Sequence, residues 1–179
     1  KEETIDFKPQ EGVRITLIPK GKKMGVMLEE GEIVALMVPH PPKEVVRGSQ
    51  KIRRLFSDAK QEESKYFKKN GFYPIMHIVA FKDEVLKKNP WAARSVMEAF
   101  QRAKEACSRY YDDPNWSRLA WARHLVEEER SILGEDPWPY GVSRNRANLE
   151  RFMGYSLDQG LMARKMAVEE LFHDSTRDT

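Results

Sequence analysis

The apolar run PIMHIVAF, Pro74–Phe81, limits the folds open to this chain more than any other stretch. It is interrupted only by His77 and follows Asn70 and Gly71, which are predicted to close a helix that Ser57 and Asp58 cap. A short apolar run between glycine and charged residues is typical of a strand buried on both faces. Asn89 and Pro90 then predict the start of a helix, because asparagine caps helices and proline suits the first helical position. A buried strand that leads into a long amphipathic helix predicts an α/β fold.

The same pattern occurs nearer the N-terminus, after a charged connection at Lys1–Glu11. Val13–Ile18 alternates apolar and polar residues, Lys22–Glu30 has helical apolar spacing, and Ile33–Val38 is apolar throughout. This order predicts a βαβ unit with a right-handed crossover. We therefore expect an α/β portion over residues 1–72, and a strand with closing C-terminal helices over residues 73–179. Three strands make a thin sheet, so we also expect further sheet in chain that precedes Lys1.

The composition argues against nucleic-acid binding, internal disulfides and membrane spans. The 179 residues carry a net charge of +3, and no basic block of the kind that follows a phosphate backbone is present, so we predict no nucleic-acid partner. The single cysteine, Cys107, cannot form an internal disulfide. No apolar run reaches the roughly 20 residues that a membrane span requires, so no membrane association is predicted.

Motifs for metals and nucleotides are missing from the sequence. The four histidines form no HxH, HxxxH or HExxH pair, and no CxxC pair occurs. The glycine patterns of phosphate-binding loops and of nucleophile elbows are missing as well. We therefore predict no metal and no cofactor.

His77 is the first candidate for chemistry, because a histidine within an apolar strand must find a hydrogen-bond partner or line a cleft. The functional interpretation is a general acid or base with a pKa near neutrality. The alternative is a core histidine bonded to a backbone carbonyl. His40 ends the strand at Ile33–Val38, where ligands bind in open α/β sheets, although an exposed loop histidine explains it equally well.

Arg47 and the aromatic loop Trp138–Gly141 are the remaining candidates. Arginine binds carboxylates through two parallel hydrogen bonds, so Arg47 is predicted to bind substrate, with a solvated surface arginine as the alternative. Trp138 and Tyr140 lie in a rigid WPYG loop that could contact a flat ring. The alternative is that this loop only packs beneath the C-terminal helices.

Several motifs, taken together and in this order, resemble the family of 4,5-dihydroxyphthalate decarboxylases over nearly the whole chain. They are RRLF with a following aspartate (Arg53–Phe56, Asp58), YF and GFYPIMHIVA (Tyr66–Ala80), NPW (Asn89–Trp91), WPYG with NR (Trp138–Arg146), QGL (Gln159–Leu161) and EELF (Glu169–Phe172). The resemblance implies a fold like that of the type II periplasmic solute-binding proteins. This chain would then be the C-terminal portion: most of the second lobe, a hinge strand and the closing helices.

The resemblance also implies an activity, namely non-oxidative conversion of an aromatic dicarboxylic acid such as 4,5-dihydroxyphthalate to 3,4-dihydroxybenzoate and carbon dioxide. The resemblance places His77, Arg47 and the turn His40-Pro41-Pro42 on the cleft side. The family more often has arginine where this chain has His40. The alternative is a solute-binding protein that binds a small organic anion without catalysis. We expect a small aromatic carboxylate as ligand and leave assembly into homo-oligomers open. The expected location is the cytoplasm, or the periplasm if a signal peptide precedes Lys1.

Overall fold

A computed structural model describes residues 11–113, 115 and 117–179. The α-helices within these residues are α1 (Met24–Glu29), α2 (Lys43–Val46), α3 (Ala59–Asn70), α4 (Asp83–Lys88), α5 (Ala92–Asp112), α6 (Ala122–Leu133) and α7 (Val142–Asp158). Two 3₁₀ turns follow α7 within this part of the chain, at Val168–Glu170 and Asp174–Thr176. Nearly all of the predicted N-terminal connection, Lys1–Glu11, lies outside the described residues.

The chain forms two compact units, Lys1–Glu62 and Glu63–Thr179. In the first unit α1 packs against α2. The approach is close at Gly25, where an added Cβ would lie 3.0 Å from Cβ of Pro42. A glycine at this position therefore lets the two short helices meet.

The core of the second unit forms around α7. Its buried residues come from α7 and the first 3₁₀ turn, and four partly buried side chains pack on them; the set is Val142, Leu149, Met153 and Val168 with Ile75, Met162, Met166 and Phe172. The buried Asn148 side chain donates a hydrogen bond to the carbonyl of Tyr73. Because a buried amide needs a partner, this bond ties the segment before Ile75 to α7.

The ends of α3 confirm the local sequence signals. Oδ1 of Asp58 accepts a hydrogen bond from the backbone N–H of Gln61 at 2.9 Å, as expected of a helix-capping aspartate. Gly71 follows the last helical residue, Asn70, with φ of 75°, which only glycine adopts readily. The cap residue of α7 is Gly141, whose φ is 98°, and Ser143 lies inside the helix.

The predicted α/β fold is wrong, because the described residues contain helices and no strand. The structure therefore also contradicts the periplasmic-binding-protein-like architecture with its βαβ lobe and hinge strand. In the supposed strand Ile33–Val38, the side chains of Val34 and Met37 are 99% and 98% exposed. In the supposed strand Pro74–Phe81, Ile75 packs on the core, but Met76 is 71% exposed.

The physical reason for this error lies in what an apolar run specifies. It indicates that side chains favour burial, whereas a strand also requires neighbouring strands that bond its N–H and C=O groups. No such neighbour occurs among the described residues, so these runs follow irregular paths.

Candidate functional site

The aromatic loop between α6 and α7 is held in place by one lysine of α5. Nζ of Lys104 donates hydrogen bonds to Oδ1 of Asp136 at 2.8 Å and to the carbonyl of Trp138 at 2.9 Å. The same ammonium lies 4.4 Å from the ring centroid of Tyr140, within the range of a cation–π contact. Lys104 therefore contacts the beginning, middle and end of the loop.

Asp136 is the electrostatic partner at the start of this loop. Its carboxylate also pairs with Nη1 of Arg144 at 3.1 Å. Burial alone would raise the pKa of Asp136, but the hydrogen bonds and charges of Lys104 and Arg144 outweigh burial and hold the pKa below its ordinary value. The carboxylate is thus ionised at neutral pH, as its two cationic partners require.

The ring of Trp138 is engaged in aromatic packing. Its centroid lies 5.1 Å from that of Tyr73, which in turn lies 5.7 Å from the ring of Phe67. Burial, followed by the charges of Glu63 and Glu129, raises the pKa of the Tyr73 hydroxyl, so this phenol stays neutral. Trp138 stays 48% exposed, and its ring partner Tyr73 lies in the segment after α3, so this contact does not bury the loop beneath the C-terminal helices.

The end of the loop is fixed by hydrogen bonds from the Asn145 side chain to backbone carbonyls. Nδ2 of Asn145 donates to the carbonyls of Pro139 at 2.6 Å and Gly141 at 2.8 Å. Tyr140 lies between these two anchored residues and is 40% exposed. Its ring is thus positioned by the backbone and still accessible.

An open cavity of about 430 Å³ lies beside Tyr140. One wall is the polar face of α5 and the other is the end of the loop together with the last residue; the lining residues are Arg94, Met97, Glu98, Gln101, Arg102, Tyr140, Gly141 and Thr179. The volume lies within the range of small-molecule sites, which begins at roughly 300 Å³. A second cavity of the same volume lies along α7, so the position beside the anchored loop, and not size, distinguishes this one. This cavity is the candidate site of the second unit.

The structure brings together only some of the residues predicted from the sequence. Lys104 links Trp138 and Tyr140, and Tyr140 lines the cavity. His77 is exposed within the irregular segment that follows α3 and does not line this cavity. In the first unit, His40 and Arg47 are both exposed, the former in a bend before α2 and the latter directly after it.

Three residues in or beside the candidate site are not predicted from the sequence, namely Lys104, Arg94 and Arg102. All three belong to α5. Residues three and four apart share a helix face, so the spacing of Arg94, Glu98 and Arg102 could have indicated a charged face. Its partner, the loop, lies more than 30 residues further along the chain, and only tertiary structure shows that contact.

Within the part of the chain that the structure describes, no group of three histidine, cysteine, aspartate or glutamate side chains is arranged to bind a metal ion. No helix among the described residues has the length and apolarity needed to cross a bilayer.

Comparison with known proteins gives one informative similarity. The chain is 26% identical over 179 residues to a protein of Comamonas testosteroni named 4,5-dihydroxyphthalate decarboxylase, and the match covers 99% of this chain and 54% of that protein. No family model matches the chain. The resemblance inferred from the motifs is therefore confirmed as a similarity, and the chain spans about half the length of this relative.

Proposed function

We propose that this protein acts in the non-oxidative decarboxylation of an aromatic dicarboxylic acid such as 4,5-dihydroxyphthalate. The observation that carries the proposal is the similarity to a protein of that name along 99% of the chain. The accessible ring of Tyr140 contacts Lys104, and the side chain of Asn145 donates to the carbonyls on either side of it, so the ring adds a surface suited to a flat ligand.

The chemistry of the reaction defines what the protein must supply. The carboxylate that leaves as carbon dioxide is para to a hydroxyl group, and deprotonation of that hydroxyl moves electron density to the carbon losing the carboxylate. A proton then replaces carbon dioxide at that carbon, so that no oxidant or reductant is consumed. The reaction needs a base near the hydroxyl, an acid near the ring carbon and a cation that binds the other carboxylate.

We assign the acid or base role to His77, whose exposed imidazole is accessible to a ligand. Tyr140 is assigned to ring contact, and Trp138 supports it through its carbonyl bond to Lys104. Arg47 and His40 remain predicted substrate contacts of the first unit.

The direct test is incubation of the purified protein with 4,5-dihydroxyphthalate in deuterated water. We expect release of carbon dioxide and formation of 3,4-dihydroxybenzoate that carries one deuteron at the carbon from which the carboxylate left. Phthalate is the matched control, because it has no hydroxyl group to drive the reaction and should be returned unchanged. Recovery of intact 4,5-dihydroxyphthalate would contradict the proposal and favour the binding protein.

A further inference from the structure

Two arginines line the cavity beside Tyr140, and they differ in their hydrogen-bond partners. Arg94 is engaged, since its Nη2 donates to both oxygens of Asp178 at 2.7 and 2.9 Å. Arg102 lies eight residues further along α5 and takes part in no ion pair or hydrogen bond identified among the described residues. Arg102 is exposed, so its guanidinium is available to a ligand that enters the cavity.

Tyr140 borders the cavity, and its cation–π partner Lys104 does not. Lys104 lies over the ring at 4.4 Å from the centroid, yet Lys104 is not among the residues that line the cavity. A ligand in the cavity therefore meets Tyr140 at a site that the ammonium does not line. Met97 adds an apolar and polarizable surface to the opposite wall.

We propose that this cavity binds a small aromatic carboxylate, with Arg102 pairing with the carboxylate and Tyr140 packing against the ring. The choice of an aromatic acid as ligand rests on the proposed function. The residues that would bind it are those that line the cavity. A guanidinium offers two parallel N–H donors that match a carboxylate, and aromatic rings favour offset or edge contacts with one another. The ligand class is thus a benzoate or phthalate.

The negative charge of Glu98 limits the affinity of this site for an anionic ligand. It lines the same cavity four residues before Arg102, a spacing at which a glutamate attracts an arginine of the same helix. No Glu98–Arg102 ion pair is present among the described contacts. The Glu98 carboxylate nevertheless repels an anionic ligand and competes for the guanidinium. Removal of its charge should therefore strengthen carboxylate binding.

The test is titration of the protein with phthalate at low ionic strength, followed by calorimetry or by NMR. Loss of a hydrogen bond to a charged group costs about 1.5–3 kcal/mol, so Arg102→Gln should raise Kd by about 10- to 100-fold. Arg102→Lys keeps the charge but loses the two parallel N–H donors. Its Kd should therefore lie between those of the wild type and Arg102→Gln. Glu98→Gln should lower Kd by about 2- to 5-fold, in line with the modest strength of exposed charge pairs.

Arg109→Gln is the matched control, because Arg109 is an exposed arginine of α5 outside the cavity lining. It should leave Kd unchanged, and circular dichroism should show equal helix content in all variants. Benzene-1,2-dimethanol, which lacks the carboxylates, should bind at least 10-fold more weakly than phthalate.

The outcomes separate this inference from the proposed function. Arg102-dependent binding of phthalate without conversion of 4,5-dihydroxyphthalate would support the cavity site and contradict the decarboxylase. Conversion with the same Kd and KM in wild type and Arg102→Gln would support the decarboxylase and overturn the cavity site. Absence of phthalate binding to the wild-type protein at millimolar concentration would also overturn it.

Discussion

The ammonium of Lys104 lies 4.4 Å above the ring of Tyr140, although the two residues belong to different elements of the chain. The same ammonium bonds to Asp136 and to the carbonyl of Trp138. One side chain of α5 thus holds the loop whose last aromatic ring lines the candidate cavity.

Replacement of this lysine should loosen the loop. Lys104→Met keeps an unbranched side chain but removes the ammonium, so the Trp138 carbonyl and the Asp136 carboxylate lose a donor. Asp136 keeps Arg144 as a partner and the bond to the Trp138 carbonyl is exposed. We therefore expect the unfolding free energy, measured by urea titration, to fall by about 0.5–1.5 kcal/mol, the net value of a typical hydrogen bond. Lys87→Met on the exposed surface of α4 is the control and should change stability by less than about 0.5 kcal/mol. Equal urea midpoints for both variants would refute the role of Lys104.

Two glycines should respond to alanine with opposite sign. Gly141 has φ of 98°, and an added Cβ would lie 2.8 Å from the carbonyl carbon of Thr179. Gly141→Ala should therefore destabilise the protein by more than about 1 kcal/mol. Gly154 lies within α7 with no atom within 4 Å of an added Cβ, so Gly154→Ala should stabilise by about 0.5–1 kcal/mol. Thermal unfolding of the two variants measures both shifts, and a common sign would contradict this account.

Glu170 should contribute a stability that depends on pH. Oε2 of Glu170 accepts from Arg164 at 2.6 Å, Oε1 accepts from Ala167 N–H at 2.8 Å, and these bonds lower its pKa from 4.5 to about 2. Because the folded-state pKa is the lower one, the contribution is fully present above pH 4.5 and is lost as the pH falls toward 2. Glu170→Gln should therefore unfold at lower urea than wild type at pH 6, and the difference should shrink progressively below pH 4.5.

A matched variant tests the source of that difference. Arg164→Gln removes the first partner of Glu170. The difference in urea midpoint between wild type and Arg164→Gln should likewise shrink as the pH falls below 4.5. A difference between wild type and Glu170→Gln that persists unchanged at pH 2 would contradict the assignment.

His77→Gln should test the proposed acid or base role. General acid–base catalysis contributes roughly 10²–10⁴-fold, so we expect turnover of 4,5-dihydroxyphthalate to fall at least about 100-fold. His124→Gln, which changes an exposed histidine of α6, is the control and should keep full activity. An active His77→Gln enzyme with unaltered turnover would remove the imidazole from the mechanism.

Features that depend on residues adjacent in sequence were predicted correctly, and features that depend on distant residues were not. The end signals of α3 at Asp58 and Gly71 were predicted correctly, because a cap bond and a positive φ depend on neighbours in sequence. The strands at Ile33–Val38 and Pro74–Phe81 were predicted wrongly, because strand formation depends on partners that a local pattern does not contain.

The candidate site divides in the same way. The sequence indicated Trp138 and Tyr140 as a rigid aromatic loop, and the flanking prolines account for that rigidity. It could not indicate that Trp138 packs on Tyr73 or that Arg102 faces the cavity, since both depend on how elements meet in space.

The sequence by itself thus determined the ends of α3, the aromatic composition of the loop and the similarity to a decarboxylase, all of which are written in short runs of residues. Only the tertiary structure decided that Lys104 reaches this loop and that Thr179 lies against Gly141. The physical reason is distance: hydrogen bonds and side-chain packing act over a few ångströms, and folding alone brings residues far apart in the chain within that range.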